Sequence, residues 1–305
     1  MTEKILVIKH GALGDVVQGF DAFASLRYSF PHAEVTALTT TPYAELLSAS
    51  GWFDNIILDP RASVFNLRQL SRIRAVLREP WSKIIDLQCS RRTERYARFI
   101  GSGTRWFGTA QSATDRMPDF TGVNNRNRML TAVTLAGAKE HQADLTFLEN
   151  ADSPAEAIGS EYAFILPGTS AAKLTKRWPV ERFVRLADAF AERGIRPVLG
   201  GSQVDRPVTS AIASACPACL DLTGQTDLFA LAGAVARARC VVGNDTGPVF
   251  LAARLHTPTL MLMGADTDPE MSAPYGRHAK WLKQNKLDDL SFDDVWASVL
   301  MLLEG

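Results

Sequence analysis

An apolar run at Cys240-Val241-Val242 stops at Gly243-Asn244-Asp245, Thr246-Gly247-Pro248 follow, and a helix-like segment runs from Val249 to Leu255. A strand, a tight turn and a helix with proline in its first turn leave backbone N–H groups without helical partners, available to an anion. This segment constrains the fold strongly, because a strand whose carboxyl end opens straight into a helix is the unit of a parallel α/β sheet. The same device recurs near Gly14 and near Thr169. Three such turns in a 305-residue chain point to one phosphate-bearing ligand held between two domains.

The rest of the chain keeps the alternation. Residues 4–9 (KILVIK) read as a buried strand, followed by a helix from Val16 to Tyr28 and a second strand at Glu34–Thr40. A helix at Pro42–Ser48, the strand Asn55–Leu58, a helix near Phe65–Arg78 and the strand Lys83–Leu87 follow, then helical patterns at Thr93–Ile100 and Arg126–Leu135. The pattern breaks between Lys139 and Ile158, around Asp152-Ser153-Pro154, and restarts with the strand Tyr162–Leu166. Strands at Arg196–Leu199, Cys219–Leu222, Cys240–Val242 and Thr259–Met263 alternate with helices at Val180–Arg193, Val204–Ala215, Leu228–Arg237 and Val249–Leu255. An amphipathic helix, Leu290–Leu303, closes the chain with Ser291 as its cap. The expected architecture is α/β, with two Rossmann-like domains at 1–150 and 151–305, parallel sheets facing a central cleft, and the terminal helix packing back on the first domain. Ligands in such sheets sit beyond the carboxyl ends of the strands.

Lys+Arg and Asp+Glu balance at 33 each, so no bulk charge argues for nucleic acid. Locally the charge is uneven: eleven Lys or Arg lie between Arg61 and Arg105 against three acids. They read as solvated helix faces or as a basic surface toward an anionic acceptor or membrane headgroups. The start MTEKILVIKH enters a strand too short for a signal core, and no window reaches the roughly 18 apolar residues of a spanning helix. A cytoplasmic, monomeric chain is expected. Cys216-Pro217-Ala218-Cys219 has CxxC spacing, but no second pair or histidine partner accompanies it, so buried thiols rather than a metal site are expected.

In the first turn, Lys9-His10-Gly11-Ala12-Leu13-Gly14-Asp15, two glycines let the chain turn sharply and a ligand approach the backbone. The spacing does not meet the dinucleotide fingerprint. Asp15 stands at the helix start, either as a cap or as a group with chemistry to do. The second turn, Pro167-Gly168-Thr169-Ser170, is followed by Lys173, Lys176 and Arg177, a set suited to pyrophosphate. In the third, Asp245 is read as a cap while the Thr246 and Gly247 N–H groups aim at phosphate oxygens. Gly200-Gly201-Ser202 with Asp205 forms a further ligand-facing loop, and Trp106, Trp178 and Phe250 read as packing residues.

GALGD after the first strand, PGTS followed by KRWP, and NDTGP before LAARLHTPT resemble the pattern of glycosyltransferase family 9, the ADP-heptose:lipopolysaccharide heptosyltransferases and their relatives. Ile85-Asp86-Leu87-Gln88 with Arg91, and Met263-Gly264-Ala265-Asp266-Thr267-Asp268-Pro269, also fit. The resemblance spans residues 4 to about 276. It implies a GT-B fold and an inverting, metal-independent transfer from an ADP-heptose or similar nucleotide-sugar to a lipopolysaccharide core or other surface glycan, at the cytoplasmic face of the inner membrane. No cofactor is implied beyond the donor.

Carried over by position, Asp15 becomes the general base on the acceptor hydroxyl, with Gly14, Gln88 and Arg91 on the acceptor side. Lys176 neutralises the diphosphate beside Thr169 and Ser170; Asp245, Thr246 and Gly247 complete the donor clamp, and Asp205 faces the ribose. The family commonly reads DTGxxH, whereas this chain has Phe250 at the histidine position. Two other readings compete: a non-catalytic nucleotide-sugar-binding protein, suggested by Phe250, and a nucleotide-sugar epimerase on the same scaffold.

Overall fold

The computed structural model describes residues 2–61, 66–154, 158–169 and 177–304. The chain divides into two compact units, Met1–Asp144 and Leu145–Gly305. In the first, β1 (Lys4–Ile8), β2 (Glu34–Thr39), β3 (Asn55–Leu58), β4 (Lys83–Asp86), β5 (Arg105–Gly108) and β6 (Asp115–Arg116) form one sheet in the order β3-β2-β1-β4-β5-β6. In the second, β7 (Tyr162–Leu166), β8 (Arg196–Leu199), β9 (Leu220–Asp221), β10 (Cys240–Asn244), β11 (Thr259–Met263) and β12 (Ala279–Lys283) are ordered β12-β11-β10-β7-β8-β9. Counted from its own first strand, each sheet has the doubly wound order 3-2-1-4-5-6. All the strand pairs are parallel, as near-continuous apolar strands flanked by helices require.

The doubly wound order has one place where the chain switches direction across the sheet, and there two strand ends are left without a crossover covering the space between them. In the first unit that point lies between β1 and β4, so Lys9–Asp15 and Leu87–Gln88 emerge side by side. In the second it lies between β7 and β10, whose ends carry Pro167-Gly168-Thr169 and Asp245-Thr246-Gly247. The motifs read from the sequence therefore cluster at the two switch points.

Several elements differ from the sequence pattern. The helix expected from Val16 is two pieces, Leu13–Gln18 and Phe20–Ser29, joined at Gly19. Strands β5, β6 and β12 fall where no strand is expected; they are short or charged edge and near-edge strands with little apolar alternation. The terminal helix, Phe292–Glu304, buries Val295, Val299 and Leu302 in the core of its own unit, with Trp178, Phe183, Leu186 and Phe190. Cys216 and Cys219 are free thiols, Cys216 buried, and no group of residues able to hold a metal occurs among those described. No helix of the described residues is long and apolar enough to cross a membrane.

One buried side chain fastens the second switch point. Asn244, fully buried at the end of β10, donates from Nδ2 to the Pro167 carbonyl (2.7 Å) and accepts at Oδ1 from the Trp178 N–H (3.1 Å). It thus ties β10 to both ends of the loop that leaves β7. Trp178 continues the chain of bonds, its Nε1 donating to the Leu290 carbonyl (2.8 Å). Asn244→Ala leaves a buried carbonyl and a buried N–H unpaired, each costing about 1–3 kcal/mol. Urea denaturation of this variant is expected to show a loss of about 3 kcal/mol; a wild-type midpoint would refute the role of Asn244 as a cross-tie.

Candidate functional site

In the first unit the site is built on the loop between β1 and the helix Leu13–Gln18. His10 is clamped by both backbone groups: its N–H donates to Gln88 Oε1 (2.9 Å) and its carbonyl accepts from Thr40 Oγ1 (2.7 Å). Its buried imidazole lies 3.1 Å from Asp59 Oδ2, which also accepts from Tyr96 Oη (2.6 Å). Burial pushes the Asp59 carboxyl up, but His10, Tyr96 and the Arg61 N–H outweigh it and hold it at about 2. Gly11 follows with φ +127°, and a Cβ there would stand 2.4 Å from the Tyr43 ring. Gly11 alone makes the turn; Gly14 lies within the helix, its carbonyl accepting from Gln18 Nε2, so it is not a second turn glycine.

Asp15 sits in the first turn of that helix but does not cap it. The N-cap position belongs to Ala12 and has no side-chain cap. Half-buried, the Asp15 carboxylate instead accepts at Oδ1 from Asn125 Nδ2 at 2.9 Å. Asn125 Oδ1 in turn accepts from Arg128 Nη2 (2.8 Å) and Nε (3.3 Å), and Arg128 Nη2 also reaches the Leu87 carbonyl (3.2 Å). A second cation lies close by: the Lys9 amine, 2% exposed, has the Leu87 carbonyl as a distant partner at 3.5 Å. Burial pulls its pKa down to about 8 against the opposing pull of Asp15.

The loop after β4 is shaped from below by Asp86. Its Oδ1 accepts from the Gln88 and Cys89 N–H groups (3.0 and 2.9 Å), and Cys89 adopts φ +47°. Burial raises the pKa of Asp86, and those bonds lower it only in part. Gln88 is thus brought to the Asp15 loop, with its side-chain oxygen already engaged by His10. Arg91 is directed elsewhere. Exposed at the start of the helix Arg91–Tyr96, it lines a cavity of about 320 Å³ with Arg92, Arg95, Arg98, Tyr96 and Phe99.

In the second unit the helix Gly247–Arg254 begins directly after Thr246, which occupies the N-cap position in extended conformation and makes no side-chain capping bond. Pro248 has no N–H, so the donors at this helix end are those of Thr246 and Gly247. Asp245 is not the cap that its position suggests. Its Oδ2 accepts from Thr267 Oγ1 (2.6 Å), joining NDTGP to the loop after β11. Thr169 is buried and its Oγ1 accepts from Arg177 Nε (3.1 Å). Asp205 Oδ2 accepts from the Ser202 N–H and Oγ (2.9 and 2.8 Å), while its buried Oδ1 has no hydrogen-bond partner among the described residues. A Cβ at Gly168 would fall 2.3 Å from that carboxylate and would have to displace it. Ser170, Lys173 and Lys176 lie outside the described residues. Phe250, Trp106 and Trp178 are buried packing residues, as expected.

The sequence assigns no role to Asn125, Arg128, Lys9 or Asn244. Asn124-Asn125 before an apolar-periodic run is a helix-start signal, but nothing in it announces a contact with a residue 110 positions away.

Two units of Rossmann order, each with its polar motifs at the strand switch point, define the GT-B architecture of nucleotide-sugar transferases. Residues 114–293 match the model of glycosyltransferase family 9 (heptosyltransferase), and the chain belongs to that family of glycosyltransferases. It is 24% identical to lipooligosaccharide heptosyltransferase 2 of Haemophilus ducreyi over 303 residues, covering 90% of this chain and 87% of that protein. With lipopolysaccharide heptosyltransferase 1 of Pseudomonas aeruginosa it shares 25% over 303 residues, covering 90% and 82%. The E. coli heptosyltransferase WaaC, solved with ADP, superposes with a TM-score of 0.82 at 20% identity, covering 98% of this chain and 99% of that one. The same enzyme with ADP-2-deoxy-2-fluoro heptose gives 0.80.

The folded-state pKa of Lys9 lies below its ordinary 10.5, so the unfolded chain binds the extra proton between about pH 8 and 10.5 and stability rises with pH across that window. Below about pH 8 the buried ammonium destabilises the fold, by up to about 3 kcal/mol. Lys9→Met is therefore expected to raise Tm at pH 7 and to flatten the rise in Tm between pH 8 and 10. An unchanged pH profile of Tm would show that the amine is not held as described.

Proposed function

We propose that this chain transfers a heptose or closely related sugar from an ADP-activated donor to a lipopolysaccharide core or other surface glycan precursor, with inversion at the anomeric carbon. The observation that carries the reading is the Asp15 carboxylate, held sideways by Asn125 at the end of β1 and not engaged in capping a helix. In a single displacement the acceptor oxygen bonds to the anomeric carbon as the bond from that carbon to the diphosphate oxygen breaks. The hydroxyl proton passes to Asp15, and the electron pair leaves on ADP. A sugar hydroxyl is too weak an acid to be ionised beforehand, so the carboxylate accepts the proton late, as oxocarbenium character develops, an effect worth about 10²–10⁴-fold.

The leaving diphosphate needs donors that are already in place. Thr246 and Gly247 at the helix start and Thr169 beside Arg177 are suited to supply them, with Lys176 as the neutralising cation and Asp205 toward the ribose. That the E. coli relative WaaC has been solved with ADP and with an ADP-sugar supports an adenine donor. Gly14 and Gln88 belong to the acceptor side in this reading. Arg91, like Arg68, Arg72, Arg74 and Arg78, is exposed, and such a basic stretch is suited to an anionic glycolipid or to inner-membrane headgroups.

A second reading, nucleotide-sugar binding without turnover, is favoured by Phe250 alone. Its ring is 4% exposed in the core, so the clamp helix offers no side-chain donor at that position.

Asp15→Asn is expected to lower kcat by about 10²–10⁴-fold with ADP affinity unchanged. Retained transfer would remove the base assignment, and binding of ADP-heptose without transfer to any acceptor by the unaltered chain would select the second reading. In a thermal-shift series ADP-heptose should raise Tm while GDP- and UDP-sugars at equal concentration do not. Equal shifts from all three would overturn the adenine donor.

A further inference from the structure

We infer that Asn125 is a positioning residue, oriented by Arg128, that fixes the Asp15 carboxylate in the rotamer needed to take the acceptor proton. This rests on the reading of Asp15 as the base. A primary amide has a donor end and an acceptor end, and its orientation follows from its partners. Arg128 is only a donor, so it can engage only the amide oxygen. By binding Asn125 Oδ1 through Nη2 and Nε it turns the NH₂ group toward Asp15. Arg128 is itself anchored to the Leu87 carbonyl beyond β4. The carboxylate is therefore indirectly referenced to both strands of the switch point.

The backbone of Asn125 is fixed as firmly. Asn124 caps the helix Asn125–Leu135 by accepting from the Arg126 N–H (3.0 Å). Arg126 donates from Nε (2.7 Å) and Nη2 (2.6 Å) to Asp21 Oδ2, and Asp21 is buried in the neighbouring helix Phe20–Ser29. Asp21 Oδ1 takes the Ala143 N–H (3.0 Å). The first turn of the Asn125 helix is thus bolted to the fold independently of Asp15. A helix end held this way can aim a side chain without shifting when a ligand binds.

The interposed amide also separates charges. A guanidinium paired directly with a carboxylate stabilises its anionic form and weakens it as a proton acceptor. Here the cation reaches Asp15 through a neutral group that passes on orientation. Asp15 Oδ1 receives the Asn125 bond, and Oδ2 makes no hydrogen bond with the described residues, which leaves that oxygen for the incoming proton.

Transfer from ADP-heptose to heptose-deficient lipopolysaccharide by the full chain tests this. Asn125→Asp keeps the size of the side chain but has no donor; Asn125→Ala removes both ends. Both are expected to lower kcat about tenfold to a hundredfold with KM for the donor and ADP affinity unchanged. Arg128→Lys, which retains a donor to the amide oxygen, should recover most of the activity that Arg128→Met loses. The deciding measurement is the double variant: added to Asp15→Asn, Asn125→Ala should produce no further loss, because the two act through one carboxylate. Additive losses, or wild-type kcat in Asn125→Asp, would overturn the inference; should Asn125→Asp fail to fold, the Arg128 pair and the double variant decide it. If Asp15→Asn is itself fully active, the base reading falls and the inference with it. If Asp15→Asn is inactive while Asn125→Ala is not, only the inference falls.

Discussion

Every strand pair in both sheets is parallel, and this one constraint settles where polar groups can gather. Parallel neighbours need crossover helices, so all carboxyl ends of a sheet emerge along one edge, and the doubly wound order leaves one gap there per sheet. The chain places polar residues in each gap: Lys9, His10, Asp15, Asp86 and Gln88 at β1 and β4, Thr169, Asn244, Asp245 and Thr246 at β7 and β10.

Burying polar groups beneath a site is expensive unless each is paired. The two gaps differ in the groups they bury. In the second unit Asn244 spans two loop ends, Thr267 engages Asp245 and Ser202 engages Asp205. In the first, ionisable groups are buried close together, with His10 against Asp59, Asp86 accepting from the Gln88 and Cys89 N–H groups, and Lys9 near the Leu87 carbonyl. A network of that kind has few alternative arrangements, and it holds Cys89 in a left-handed conformation that a side chain rarely adopts.

The sequence was legible where chemistry and local structure coincide. Gly11, Asp15, Thr169 and Thr246 could be assigned to turns because each lies within a few residues of a strand end, and the apolar runs marked β1, β7, β10 and β11 directly. Roles that depend on distant partners were not legible. The spacing alone leaves Asp15 as a cap or a free carboxylate, and Asn125 decides between them from the other end of the unit. Asp245 has the position of a cap, yet Thr267 draws it aside. Strands β5, β6 and β12 escaped because charged residues such as Arg105, Asp115, Lys280 and Lys283 interrupt their apolar pattern at or near the sheet edges. The roles proposed for Lys176 and Ser170 rest on the family resemblance, since both lie outside the described residues.

The helix Gly247–Arg254 has one further property. From Val249 to Arg254 every residue is buried, so this helix has no solvent face on which to slide or tilt. Its amino end is fixed by the packing of the whole second unit, with a Cβ at Gly276 blocked by contact with the Ala253 carbonyl at its other end. In the donor role proposed for Thr246 and Gly247, a phosphate would meet dipoles that need no reorganisation, so binding would lose little entropy there. Phe250 follows from the same packing: its buried ring belongs to the interior that fixes this helix.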